Sequence, residues 1–448
     1  MIGHIYKYKE NKMTNWTTAL KGYTKRQILI FLFLGFSCGL PYNLLGYSLS
    51  LWLKDVGVAL SVVGLFSLVF LPYSFKFLWA PFVDRLNVPY LSQKLGRKKS
   101  WALVFQIGLV LSIFGLAYFA PDKNTWVWSW HYTDNTGALQ TAFIPLQTYI
   151  LALLTAFFAS SQDIVVDALR IDTLTEDELG EGAGTYQFGY RMGLLLSGAG
   201  VVALSAYVSW SLAYFLVGCF VLTGFISVFW VHEKPQEPTR TSFKQLVIEP
   251  FSDFVKRHKT WHMILIFIVL YKLCNAVLGR MALPFYADIG FTKEQIALVS
   301  GAIGPWITMA GIPIGGLLVM RFGILKSLLY LGSVEILTSF AFAGLAVLGA
   351  NIPAFFLTII FDNIVGGMGG AVFVAYLSSL CHKSYSATQY ALLTSLMAVA
   401  SSFVASTSGF MAEGLGWPIF FVLTGILMIP ALILLKSMIY YAEKVHND

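Results

Sequence analysis

Apolar residues run along this chain in blocks of helix-spanning length, separated by short polar stretches rich in lysine, arginine, glycine and proline. A helix rises about 1.5 Å per residue, so roughly 20 apolar residues cross the hydrocarbon of a bilayer. The pattern predicts twelve such helices, near residues 26–53, 61–83, 99–120, 143–172, 182–206, 210–232, 260–288, 293–319, 325–348, 353–380, 385–411 and 416–436. The longest polar connection, His232 to Lys259, contains EKPQEPTR and divides them into six and six. The expected organisation is an all-α membrane protein. It has a polar tail (1–25), a six-helix half (26–232), a linker (233–259), a second half (260–436) and a short tail (437–448).

Composition agrees with this. The 448 residues are 57% hydrophobic and 12% charged, where a soluble domain carries about 25% charged residues. The net charge of +7 does not point to nucleic acid, because the basic residues cluster in loops between spans. With both termini cytoplasmic, 23 of the 30 Lys and Arg fall on the cytoplasmic face and only Lys54, Lys123 and Lys293 on the other. That asymmetry is the positive-inside signature. The first 25 residues lack a signal-type apolar core, and residues 16–28 suit a helix on the membrane surface. Trp126, Trp128 and Trp130 in the outer loop suit an interfacial belt. Four cysteines sit in apolar runs without metal-site spacing, the histidines form no cluster, and neither HExxH nor GxSxG occurs. No resident cofactor or metal is expected.

A short repeat supports two related halves. Leu45-Gly46, eight residues, then Asp55-Val56-Gly57 closes the first span; Leu278-Gly279, eight residues, then Asp288-Ile289-Gly290 closes the seventh. Six-helix halves related by an axis along the membrane normal are the architecture of major facilitator transporters.

Charges inside the spans carry the functional signal. An ionised group at mid-bilayer costs about 2.5–3.5 kcal/mol on insertion scales, so it faces a cavity or a partner. Asp163 lies nine residues before Asp172, Lys76 eight before Asp84, and Arg191 nine after Gly182. All three therefore lie at a common depth of about 12–14 Å from the cytoplasmic face. Asp167 and Arg170 follow Asp163 on the same helix face. A carboxylate between cations exchanges a proton as the cations approach or withdraw, which makes Asp163 a proton-coupling candidate with Lys76, Arg191 and Asp167. Lys272 and Arg280, two turns apart in span 7, suit an anionic substrate. Tyr42, Asn43, Gln187 and Tyr190, on spans 1 and 5, are candidate substrate contacts that serve equally well as packing residues. Asp84 and Arg170 at the cytoplasmic rim suit a helix clamp. Glu335 and Asp362 read as lone acids with packing or helix-end roles. The glycine runs 193–200 and 366–370 suit helix–helix seams.

The stretches FKFLWAPFVDR (75–85), GRKKSW (96–101), SSQDIVVDALRID (160–172), GYRMGLLLSG (189–198), LYKLCNA (270–276), GGMGGAVFVAYLSSLCHKSYSATQYALL (366–393) and GWPIFF (416–421) jointly resemble the AmpG-type muropeptide permeases of the major facilitator superfamily. The resemblance runs from about Gly35 to Leu435. It implies import of anhydromuropeptides, GlcNAc–anhydroMurNAc peptides, from periplasm to cytoplasm across the bacterial inner membrane for cell-wall recycling, driven by the proton gradient. It places the family's essential aspartate on Asp163 and its cationic positions on Lys76, Arg191 and Lys272. Gln162 falls in the same SQD motif, as a substrate-site candidate. Asp84, Arg85 and Arg97, with Arg170, fall on the cytoplasmic gate. YKLCNA departs from the usual YKLGDA, so Asn275, a further substrate-site candidate, replaces an acid. A monomer in a lipid bilayer is expected.

Three other readings stay open: a related transporter of another anionic cargo such as an acyl-CoA, a receptor of the same fold that does not transport, and a membrane enzyme, for which no catalytic constellation is visible.

Overall fold

The computed structural model describes residues 21–58, 60–121, 127–133, 139–233, 243–258 and 260–447. Trp126, most of EKPQEPTR and the first residues of the expected surface helix lie outside them.

Ten helices among the described residues are long and apolar enough to cross a membrane. They are α1 (Arg26–Asp55), α3 (Arg97–Tyr118), α4 (Leu146–Thr173), α5 (Glu176–Ser205), α6 (Trp210–Trp230), α7 (Trp261–Asp288), α8 (Lys293–Phe322), α9 (Ile324–Leu348), α10 (Ile352–Leu380) and α12 (Trp417–Tyr440). Between them stand α2 (60–85) and α11 (Ser386–Leu415), completing twelve. The sequence predicts α2 as one continuous helix. It is instead a chain of short α turns interrupted by 3₁₀ turns at Phe66–Phe70 and Lys76–Leu78. Pro72 and Pro81 open the α turns Leu71–Phe75 and Ala80–Arg85; each lacks the N–H that would continue the preceding turn.

α1 and α5 are also irregular. Each carries a π-helical turn, Leu44–Ser48 and Leu196–Gly200, and the Ser48 hydroxyl donates to the Ser197 carbonyl at 2.6 Å. Before these turns the two helices pack backbone to backbone. A Cβ on Gly39 would overlap the Tyr190 carbonyl, and one on Gly189 the Leu32 carbonyl.

The outer loop contains an antiparallel hairpin, β1 (Val127–Thr133) and β2 (Leu139–Pro145), with Trp128 opposite Ile144 and Trp130 opposite Ala142. β1 is rich in aromatic and β-branched residues, which favour strands. Residues 143–145 belong to this hairpin, so α4 begins three residues later than its apolar run suggests.

The chain divides into two compact units: residues 29–173 with 188–240, here the N-terminal unit, and residues 1–28, 174–187 and 241–448, the C-terminal unit. The first turns of α5 thus belong with the C-terminal unit. There Lys25 and Gln27 donate to Glu178, each at 2.7 Å, and the Tyr23 hydroxyl donates to the Pro313 carbonyl in α8 at 2.9 Å. The hydrogen bond it donates to Glu178 holds Lys25 above the ordinary lysine range.

Each unit is cored by apolar side chains: Leu40, Trp52, Leu109, Ala156 and Tyr214 in one, Phe285, Phe342, Phe355 and Phe421 in the other. The sequence repeat has a structural counterpart. The indole of Trp210 donates to Asp55 at 3.0 Å, and that of Trp417 donates to Asp288 at 2.8 Å. The glycine two residues after each aspartate has a positive φ, 78° at Gly57 and 97° at Gly290, a conformation that favours glycine.

The linker holds a further helix, Phe243–Arg257, that its proline and charge had not suggested. It is pinned to α10 and α11. Arg257 donates to the Leu380 carbonyl at 2.8 Å and to Gln389 at 3.1 Å, while Gln389 donates to the Pro250 carbonyl at 2.9 Å.

Candidate functional site

Asp163 is buried in the N-terminal unit, 7% exposed, midway along α4. Its surroundings come from four helices. Cys38, from α1, is a hydrogen-bond partner. Lys76, buried within a 3₁₀ turn of α2, is the cation that acts on it and also on Asp167. The phenols of Tyr73 and Tyr190 feel its charge, and Tyr42 lies with them; the Tyr42 ring sits 5.5 Å from that of Tyr73. Asp163 Oδ1 and the Tyr73 hydroxyl are buried with no hydrogen-bond partner among the described residues. One turn on, Asp167 accepts from Arg170 at 2.8 Å, and both are buried. The result is a carboxylate with one cation, one thiol and several phenols around it, and one oxygen unused. The protonation state of such a group depends on burial and on how close its cation stays.

The positions expected to join Asp163 divide. Lys76 and Asp167 do. Arg191 shares the depth, but its side chain is exposed and its charge bears on Tyr190. Depth follows from residue count, whereas the facing direction turns by about 100° per residue. Gln162 is fully buried: its amide donates to Ser37 at 3.0 Å and meets Cys38, which makes it a pin between α4 and α1 in place of a cavity group. Asn43 likewise donates to the Leu194 carbonyl at 2.9 Å, beside the π turn of α5. Tyr42 is exposed, and Gln187 and Tyr190 are half-buried. Tyr73 was missed by the sequence reading; its spacing of three residues from Lys76, one helical turn, was the available signal.

At the expected cytoplasmic rim, Lys98 is the centre, a residue the sequence reading had not singled out. Fully buried, it pairs with Asp172 and lies 3.6 Å from Asp84. Glu233 caps α3, accepting from the backbone N–H of Lys98 at 3.0 Å and of Lys99 at 2.9 Å. A carboxylate at a helix N-terminus also complements the dipole. Arg97 is buried under the influence of Asp84, Glu233 and Asp172, and Arg85 is half-buried nearby. Arg170 pairs with Asp167, one turn deeper in α4.

The C-terminal unit holds Lys272, half-buried, with its ammonium 4.5 Å over the Phe373 ring. Its charge acts on Glu335. Glu335 is not the lone acid expected: it accepts from Asn275 at 3.2 Å. Arg280 is exposed. Of the glycine run, Gly367 meets the Thr308 carbonyl of α8 closely, as a helix seam requires. No group of three or more metal-ligating side chains occurs among the described residues.

The fold is one that solved structures of transporters share. It superposes on the human organic anion transporter MFSD10 with a TM-score of 0.63 at 12% identity, covering 94% of this chain and 100% of that one. It superposes on the proton:xylose symporter XylE with a TM-score of 0.62 at 12% identity, covering 94% and 96%. The class is therefore the major facilitator fold, twelve helices in two six-helix halves. In sequence it is 34% identical to the transporter AmpG 4 of Rickettsia conorii over 94% of this chain and 97% of that one. It is 33% identical to the anhydromuropeptide permease of Escherichia coli K12 over 91% and 78%. Residues 27–231 also match the family model described as acetyl-coenzyme A transporter 1. The chain belongs to the AmpG family of transporters.

Proposed function

We propose that this protein imports anhydromuropeptides from periplasm to cytoplasm across a bacterial inner membrane, in symport with protons and as a monomer with both termini cytoplasmic. The likeness to the Escherichia coli permease across nine-tenths of the chain carries the cargo. The buried Asp163, with Lys76 as its cation and one oxygen unused, supports the coupling. Ionised, Asp163 attracts Lys76; protonated, it loses that attraction, and the interrupted α2 that bears Lys76 is free to repack. A proton biases such an equilibrium only through its different interaction with the two states, and this pairing supplies the difference. Lys272 meets the carboxylates of the peptide and muramyl groups.

Uptake of labelled anhydromuropeptide into membrane vesicles, with and without an imposed proton gradient, tests the proposal. Accumulation only with the gradient is expected; equal uptake in both would reject the coupling. An acyl-CoA cargo is the second reading, favoured by the family-model match over residues 27–231. Unlabelled muropeptide should compete for uptake and acetyl-CoA should not; the reverse would exchange the two readings.

A further inference from the structure

The C-terminal unit contains a buried carboxylate whose surroundings do not match a packing role. Glu335 is 3% exposed, near the middle of α9. Oε1 accepts from the Asn275 amide of α7 at 3.2 Å. The same oxygen rests on α10 at Gly369, where a Cβ would come within 2.9 Å, so the glycine makes room for the carboxylate. Oε2 is buried with no hydrogen-bond partner among the described residues.

The titratable and charged groups facing it are Tyr271, Lys272 and Cys274 from α7 and Asp362 from α10. Lys272 is the cation among them, and its ammonium is also shared with the face of the Phe373 ring. An ionised buried carboxylate with one neutral hydrogen bond is expensive unless a cation stays close. The neutral acid carries far less of that cost. The cluster therefore admits two states: ionised Glu335 balanced by Lys272, and protonated Glu335 held by the Asn275 amide.

We propose that Glu335 is a second proton-binding carboxylate of this transporter, exchanging its proton as Lys272 turns between Glu335 and the anionic cargo. The proton comes from a hydronium ion, leaving water, and returns to water when Lys272 swings back. Cargo arriving at Lys272 thus favours proton uptake at Glu335. The role in transport rests on the proton-driven reading above; the proton binding itself does not.

The test uses purified full-length protein in lipid nanodiscs. Infrared difference spectra on acidification read the C=O band of each carboxyl group that takes up a proton. Glu335→Gln should remove one carboxyl's share of that band, and Asp163→Asn a separate share. Adding Asn275→Asp to Glu335→Gln should bring the share back, because the acid then stands on the other side of the same contact; this also guards against a misfolded single variant. An unchanged band in Glu335→Gln, with the protein monodisperse, would overturn the proposal. Uptake by wild-type vesicles that ignores a protonophore would instead sink the proton-driven reading, while the infrared result would still decide for or against Glu335.

Discussion

The two buried carboxylates sit in mechanically different settings. Asp163 is surrounded by interrupted helices: α2 is broken by 3₁₀ turns, with Lys76 inside one of them, and α1 and α5 carry π turns. Glu335 lies among α7, α9 and α10, each an unbroken α-helix of 25 to 29 residues. Departures from regular helical bonding mark places where backbone changes at low cost. Around Asp163, then, the backbone that holds the cation is irregular. Around Glu335 the three helices are regular, and the adaptable element is the long Lys272 side chain. On the proposed reading, one acid is placed to drive a change of shape, the other to register a charge.

The sharpest way to break this distinction is Asp163→Asn. It fixes the neutral state, so the concentration ratio reached against a cargo gradient should fall to about one, while cargo still binds or exchanges. Counting labelled cargo inside vesicles at steady state settles it; a variant that still concentrates cargo shows that the coupling acid lies elsewhere, with Glu335 and then Asp362 the next to examine.

Asp167→Asn should act on the fold. Proximity to cytoplasmic water would make this change mild, but Asp167 is 5% exposed and its partner Arg170 is 1% exposed. Removing one member of a buried pair costs about 3–5 kcal/mol. A large drop in the thermal unfolding midpoint is expected, and an unchanged midpoint would mean Arg170 has other support sufficient to hold it.

Lys272→Ala should weaken cargo binding by about tenfold, the worth of one charge-assisted hydrogen bond, without abolishing the response to a proton gradient. Calorimetric affinity equal to wild type would remove Lys272 from the cargo site.

The smallest effect separates titration of the fold from titration of the two acids. Burial, and then the neighbouring Arg257 charge, hold His258 at about 4, against 6.5 for a free histidine. Its Nε2–H donates to the Leu380 carbonyl at 3.1 Å. The unfolded chain binds this proton more readily, so the contribution to stability is complete above about pH 6.5 and is lost as pH falls toward 4. Between pH 7 and 5 the loss is on the order of 1 to 2 kcal/mol. Unfolding midpoints of wild type and His258→Gln at both pH values measure it; the variant should lose most of the difference.

Much of this was legible along the chain. Apolar length placed the spans, charge asymmetry set their expected direction, and the repeated Asp-Val/Ile-Gly found its counterpart in the paired tryptophan contacts at Asp55 and Asp288. Contacts within one helix were legible too, as with Asp167 and Arg170. Between helices, shared depth brought Lys76 to Asp163, but most contacts were not legible. Asn275 and Glu335 are 60 residues apart, and spacing carries no information about which faces meet. Depth arithmetic grouped Arg191 with Asp163 but could not say which way its side chain points. Gln162, next to Asp163 in sequence, turns into the seam with α1.

The close approach of α1 and α5 has a consequence for how variants are read. Where Gly39 and Gly189 touch the opposite backbone, even the methyl of alanine would overlap a carbonyl, so a substitution there forces the two helices apart. A genetic screen scored only by lost transport would return such glycines beside Asp163 with the same phenotype. An assay for folded protein in the membrane tells a lost helix contact from a lost carboxylate.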